Sequence, residues 1–199
     1  MTVSRKSRVG RGLVAALFVS ASIAAGLSNQ AGTAHAQTSS EGEACVFDAP
    51  SGLDTTGTGL TRAGHIGWGY KIPGTDQYTF GATEGIKGID GSKKTWHDHG
   101  SRADMFTAFH NGSHYMHPGY YTTAKCGTVT NSSADAANKA VKGVESKNWS
   151  LVSSPLTGGN CMDDSYKILT AYGASLPWPL THWLPNAWFD SINWQKTAV

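Results

Sequence analysis

The clearest hydrophobic patterning lies in the first half of the chain. His65-Ile66-Gly67-Trp68-Gly69-Tyr70-Lys71-Ile72 alternates large apolar residues with glycine or polar ones, which predicts a strand. Pro73-Gly74-Thr75-Asp76 reads as a turn, and Gln77 to Thr83 alternates again. The pair forms a hairpin whose four-residue turn sets the register: Ile72 opposite Gln77, Tyr70 opposite Thr79, Trp68 opposite Gly81. Extended outward, that register brings His65 opposite Glu84, on one sheet face and at contact distance. Gly67 and Gly69 fall on the same face and leave room for another element to approach.

Three segments carry helical signals. Ser101 with Asp104 marks a start, Met105, Phe106 and Phe109 make a stripe, and Gly112 ends the helix. Ser132 with Asp135 opens a second, with Ala137, Ala140, Val141 and Val144 at helical spacing. A third follows Gly158-Gly159-Asn160 and ends near Gly173, with Cys161, Ser165, Leu169 and Tyr172 on its core-facing side. Tyr120 to Val129 and Trp149 to Ser153 read as further strands. Gln37 to Glu43 reads as a disordered polar tail, Ser51 to Thr61 as a loop, and the Pro- and aromatic-rich tail from Leu176 as irregular. Strand runs mixed with helices predict an α+β fold, an antiparallel sheet packed with helices.

The first 36 residues have the layout of a secretory signal. Arg5, Lys6, Arg8 and Arg11 form a basic start, Leu13 to Leu27 is apolar, and Ala34-His35-Ala36 is a cleavage site. Export and a secreted location are therefore expected, with a single domain over residues 37–199 and no membrane segment after processing. The signal holds four of the 16 Lys and Arg residues and none of the 14 Asp and Glu, leaving 12 against 14. The mature part is slightly acidic, which removes the electrostatic basis for nucleic-acid binding.

An exported chain with three cysteines sets a pairing problem. Three pairings are possible; Cys45–Cys126 is preferred, because it ties the N-terminal segment to a mid-chain strand and leaves Cys161 free. Cys161 then stands at a helix start, where unpaired N–H groups favour a thiolate and can hold an oxyanion. Gly159 and Asn160 form the loop on which a substrate carbonyl would lie. An imidazole beside the thiol would take its proton, and a carboxylate would fix the imidazole tautomer. A disulfide-bonded or inert buried Cys161, a merely structural His65 and a solvated Glu84 are the plain alternatives.

The order of histidine on an early strand, polar residue on the next and late cysteine opening a helix resembles the circularly permuted branch of the papain-like, NlpC-like thiol enzymes. Lecithin–retinol acyltransferase and its relatives belong to that branch. The matching residues are Gly64-His65-Ile66-Gly67-Trp68 and Gly159-Asn160-Cys161. The resemblance covers roughly residues 60–173. It implies a permuted papain-like fold with Cys161 as nucleophile, His65 as base and Glu84 as orienting residue. Those relatives usually place a histidine where Glu84 stands. Here Met162-Asp163-Asp164 follows the cysteine, and two acids in the first helical turn work against a thiolate.

The expected activity is hydrolysis of an amide or ester, without a cofactor, with cell-wall peptide as the analogous substrate class. A non-catalytic module that binds glycan or protein through Trp178, Trp183, Trp188, Phe189 and Trp194 is the second reading. A zinc site is the third. Trp96-His97-Asp98-His99 and the stretch from His110 to His117 are rich in ligand types, but Gly112 breaks the helix that would align His110 with His114, and no H-E-x-x-H pattern is present. The expectation is loop histidines and no metal.

Overall fold

A computed structural model describes residues 41–52, 63–85, 93–111, 118–146 and 159–199. The expected signal, the 149–153 strand, most of the Ser51 to Thr61 loop and the His114–His117 part of the histidine cluster lie outside the described residues. Those described belong to one compact unit, Gln37–Val199. They form a mixed α+β fold with a six-stranded antiparallel sheet and four α-helices.

In chain order the strands are β1 (Gly42–Ala49), β2 (His65–Lys71), β3 (Gln77–Gly85), β4 (Lys93–Ser101), β5 (Thr123–Val129) and β6 (Gln195–Ala198). The helices are α1 (Arg102–His110), α2 (Ala134–Glu145), α3 (Cys161–Tyr172) and α4 (Pro185–Ser191). Across the sheet the strands run β4-β3-β2-β1-β5-β6. The hairpin register matches the sequence reading: Tyr70 faces Thr79, Trp68 faces Gly81, and the Ile72 N–H meets the Gln77 carbonyl at 2.7 Å.

Side-chain alternation divides the core into two layers. Ala44, Val46, Ile66, Trp68 and Tyr70 point to one face, against Val141 and Val144 of α2, Ile168, Leu169 and Tyr172 of α3, and Trp188 and Phe189 of α4. Cys45, Phe47, Phe80, Ala82 and Trp96 point to the other, against Met105 and Phe109 of α1. The glycines of β2 make the second contact possible: a Cβ on Gly67 would lie 2.3 Å from the Phe109 ring, and one on Gly69 equally close to the Met105 sulfur. The room left by these glycines is filled by α1.

Hydrogen bonds fasten the helices to the sheet. Ser101 and Asp104 form a reciprocal capping box on α1. Tyr70 donates to Asn138 of α2 at 2.7 Å, and Tyr172 of α3 donates to the Lys71 carbonyl at 2.6 Å. Lys125 donates to the carbonyls of Phe189, Asp190 and Ile192 at 2.8–3.0 Å, closing the C-terminal end of α4 with a positive charge. Gly173 ends α3 with φ of 113°, a left-handed conformation that glycine adopts without Cβ strain.

Several expectations change. The cap of α2 is Ser133, one residue after the expected Ser132, which leaves Ser132 buried beside Tyr172. The segment read as a polar tail contributes Gly42 and Glu43 to β1, because Cys45, Phe47 and Ala49 alternate with Ala44 and Val46 between two neighbouring strands. The tail from Leu176 is ordered into a 3₁₀ turn, α4 and β6, since Trp188 and Phe189 bury against the sheet. The His97–His99 segment is strand β4, not a loop.

Cys45 and Cys126 face each other across β1 and β5 and form the disulfide. Replacing both by serine should lower unfolding free energy by ~2–5 kcal/mol, read as a shift of the urea midpoint; an unchanged midpoint would contradict a stabilising bridge. Asp48 lies under α4 at 6% exposure, and its Oδ1 has no hydrogen-bond partner. Burial, then the Asp190 charge, raises its pKa to about 7 from 3.8. The folded state therefore holds this proton more tightly than the unfolded chain, and stability falls as pH rises from about 4 to about 7. Asp48→Asn should raise stability at pH 8 by roughly 1–4 kcal/mol and have much less effect at pH 4. Chemical denaturation at the two pH values checks this.

Candidate active site

The site forms where the layers end. Cys161 is the first residue of α3 and His65 the first of β2. By alternation His65 belongs to the α1 side of the sheet, with Gly67 and Gly69, whereas α3 packs on the opposite side. Their terminal positions let the two groups meet beyond the edge of the layer. The Cys161 thiol lies within hydrogen-bonding reach of the His65 ring. Cys161 is free and buried.

Glu84 lies on the neighbouring strand, where the hairpin register places it. Its Oε2 is 2.9 Å from His65 Nε2, and the side chains are 1% and 2% exposed. The two atoms meet as an ion pair rather than in well-aligned hydrogen-bond geometry. With Nε2 turned to Glu84, Nδ1 is the ring nitrogen left for the thiol. Glu84 Oε1 accepts from the indole Nε1 of Trp96 at 3.0 Å, also within the interior. The plain alternative of a solvated Glu84 is thereby corrected, because β4 and the residues around Tyr121 close over it.

Burial by itself lowers the His65 pKa, but the Glu84 charge and then the Cys161 thiol raise it, with a net shift well above 6.5. The sign follows by linkage. His65 contributes stability that is fully present below 6.5 and lost as pH rises through its higher folded value.

Before the cysteine the chain is shaped by short bonds. Gly159 has φ of 140°, in the region that favours glycine. Its N–H donates to Asp164 at 3.3 Å, while the Asn160 side chain accepts from the Asp163 N–H at 2.9 Å and so caps α3. Gly159 and Asn160 thus hold the turn that presents Cys161. The N–H of Cys161 belongs to the first turn, where helical bonding supplies no intrahelical acceptor.

Tyr121, Trp96 and the depth of the Asp163–Asp164 pair escaped the sequence reading. Tyr121 is fully buried, its ring 5.9 Å from that of His65. Burial, then the charges of Glu84 and Cys161, push its pKa well above 10. Only pairing with β3 brings Trp96 beside Glu84: it faces Ala82, two residues along on the same side. The signal available was the alternation of Trp96 with His97 and Thr95 along an otherwise polar run. Asp163 and Asp164 are 1% and 0% exposed in the first turn of the cysteine helix.

The other candidate groups lie elsewhere. His97 Nδ1 meets Glu145 of α2 at 2.8 Å, and His99 Nδ1 meets the Thr79 hydroxyl at 3.0 Å, so both histidines tie β4 to its neighbours. Among the described residues, the grouped ligand types are Glu43, Cys45 and Cys126, and both sulfurs are spent in the disulfide. The aromatic tail divides: Trp188 and Phe189 are core, Trp194 packs at its margin, and Trp183 is 93% exposed.

Burial, then the Asp164 charge, raises the Asp163 pKa to about 6. Above that value Asp163 carries a charge two residues from the thiol and opposes thiolate formation; below it the charge is gone. Asp163→Asn should therefore speed alkylation of Cys161 by iodoacetamide several-fold at pH 7.5–8, with the two rates converging below about pH 6. Rates followed by intact-mass spectrometry check this, and an equal ratio at all pH values would contradict it.

No family model matches the chain, and no curated protein or solved structure matches it either.

Proposed function

We propose that this chain is a secreted cysteine hydrolase of permuted papain-like design, cleaving an amide or ester, with peptide of the cell wall as the substrate class nearest by analogy. The observation that carries the reading is the constellation itself. A free cysteine at a helix start, an imidazole within its reach, and a carboxylate 2.9 Å from the far ring nitrogen are the parts a thiol nucleophile requires.

In this reading His65 Nδ1 takes the Cys161 proton as the sulfur attacks the substrate carbonyl carbon. The carbonyl oxygen becomes the oxyanion and meets the Cys161 N–H at the positive end of α3. His65 returns the proton to the departing amine or alcohol, leaving a thioester on Cys161. Water then attacks that thioester, with His65 again taking a proton and passing it to the sulfur. Glu84 holds the ring by Nε2 and stabilises the imidazolium formed in each half.

A binding module remains the second reading, favoured by Trp178, Leu180, Trp183 and Leu184, which stand 38–93% exposed on the segment before α4. Exposed apolar groups so close in sequence suit a contact surface.

Cys161→Ala should abolish turnover of peptide or ester substrates while leaving the circular dichroism spectrum unchanged. His65→Ala should lose a comparable amount, because groups acting as a unit are not additive. Glu84→Gln should lose less, about 10- to 1,000-fold in kcat, since the imidazole keeps a polar neighbour but loses the countercharge. A screen against cell-wall muropeptides and aryl esters measures this. Full activity in Cys161→Ala, or ligand retention that fails in Trp183→Ala and not in Cys161→Ala, would favour the binding module.

A further inference from the structure

The contact between Trp96 and Glu84 has a consequence for the direction of proton transfer. An indole N–H donates and has no acceptor lone pair. Glu84 Oε1, which receives it at 3.0 Å, must therefore present a lone pair there. A donated hydrogen bond of this kind favours the carboxylate over the protonated acid, and the other oxygen, Oε2, stands 2.9 Å from His65 Nε2. A protonated Oε2 would favour an Nε2 without its hydrogen, since two hydrogens crowd a 2.9 Å gap. The imidazole hydrogen would then sit on Nδ1 and point at the thiol, in the tautomer unable to take a proton from it. An ionised Glu84 instead favours the hydrogen on Nε2 by its charge and leaves Nδ1 open.

We propose that Trp96 is a positioning residue of the site: by donating to Oε1 it holds Glu84 as the carboxylate, and so holds His65 in the tautomer that accepts the Cys161 proton. The inference rests on the hydrolase reading for its catalytic consequence, but its effect on His65 is independent of any substrate.

The surroundings fit this role. Trp96 is 8% exposed on β4, with its ring 5.6 Å from Phe109 of α1, so the indole has little room to turn away. Water has little access to replace its N–H, because Glu84 is 1% exposed. The titratable groups around His65 are Glu84 from β3, Cys161 from α3, Tyr121 ahead of β5 and, at longer range, Asp48 from β1. Trp96 donates to Glu84, so a change at Trp96 reaches His65 through that carboxylate.

Two variants separate this role from packing. Trp96→Phe removes the N–H and part of the ring. Replacing Trp96 by benzothienylalanine, introduced at this one position, removes the N–H and keeps the shape. Both should take up a proton at Glu84 more readily. The His65 titration, followed by long-range ¹H–¹⁵N NMR, should move down toward 6.5, and the Nδ1–H tautomer should grow in its neutral limb. With a turned-over substrate, kcat should fall roughly 10- to 100-fold with KM little changed, and the acid limb of the rate profile, set by His65, should move to lower pH with its titration. A benzothienylalanine protein whose His65 titration and tautomer equal those of the parent would overturn the proposal, whatever its thermal stability. Failure of Cys161→Ala to affect any activity would instead remove the hydrolase reading, while the NMR titration would still decide the role of Trp96.

Discussion

A histidine and a glutamate that meet at 2.9 Å with almost no solvent contact set the terms for the rest of this structure. Each of them alone would be costly to bury in charged form, and breaking such a pair by removing one member typically costs about 3–5 kcal/mol. The pair is tolerable because each remaining polar edge is engaged. Trp96 supplies a donor to the free oxygen of Glu84, and the Cys161 thiol stands by the other side of the ring. The layers around it keep water out: α1 enters over Gly67 and Gly69, while α3 covers β2 from the opposite side. The same enclosure that makes the pair expensive makes its electrostatics strong.

The site is assembled from chain ends of elements, and this accounts for how far the molecule goes to fix them. The turn ahead of α3 is tied by Gly159 to Asp164 and by Asn160 to Asp163. The approach to β2 is held from α4: the Asn186 N–H donates to the Ala63 carbonyl, its side chain donates to the Pro50 carbonyl, and a Cβ on Gly64 would collide with it. The far end of α4 is closed by Lys125. A disulfide across β1 and β5 stiffens the sheet that carries all of this. Rigid support of that kind keeps Cys161 and His65 within reach of each other.

The acids after the cysteine oppose it. Asp163 and Asp164 occupy the first turn of α3, where they suit the helix dipole and anchor the preceding loop. Their charge disfavours a thiolate on Cys161, two and three residues away. The stability of the turn and the readiness of the thiol thus pull in different directions, and the partial neutralisation of Asp163 near pH 6 lessens the conflict.

The local elements were legible where the pattern was unambiguous. The β2–β3 hairpin and its register followed from alternation around Pro73-Gly74-Thr75-Asp76, and that register alone brought His65 to Glu84. The capping box of α1, the apolar stripe of α2, and the Asn160 and Gly173 limits of α3 could be read because capping and periodicity act over a few residues. The Cys45–Cys126 pairing, one of three possible, is legible because it ties the N-terminal segment to a mid-chain strand. What tertiary structure decided was everything that depends on who covers whom. β1 and β4 are strands because neighbours pair with them on both sides or one, despite the polar residues in their sequences. Trp188 and Phe189 became core and Trp183 did not, a division that a run of similar aromatics conceals. Trp96 reached Glu84 through a strand pairing that no local signal announces, and Glu84 lost its solvent for the same reason. The sequence by itself determined the local elements and the register that sets His65 beside Glu84; burial and long-range pairing, which sum contributions from distant segments, decided their charge and contacts.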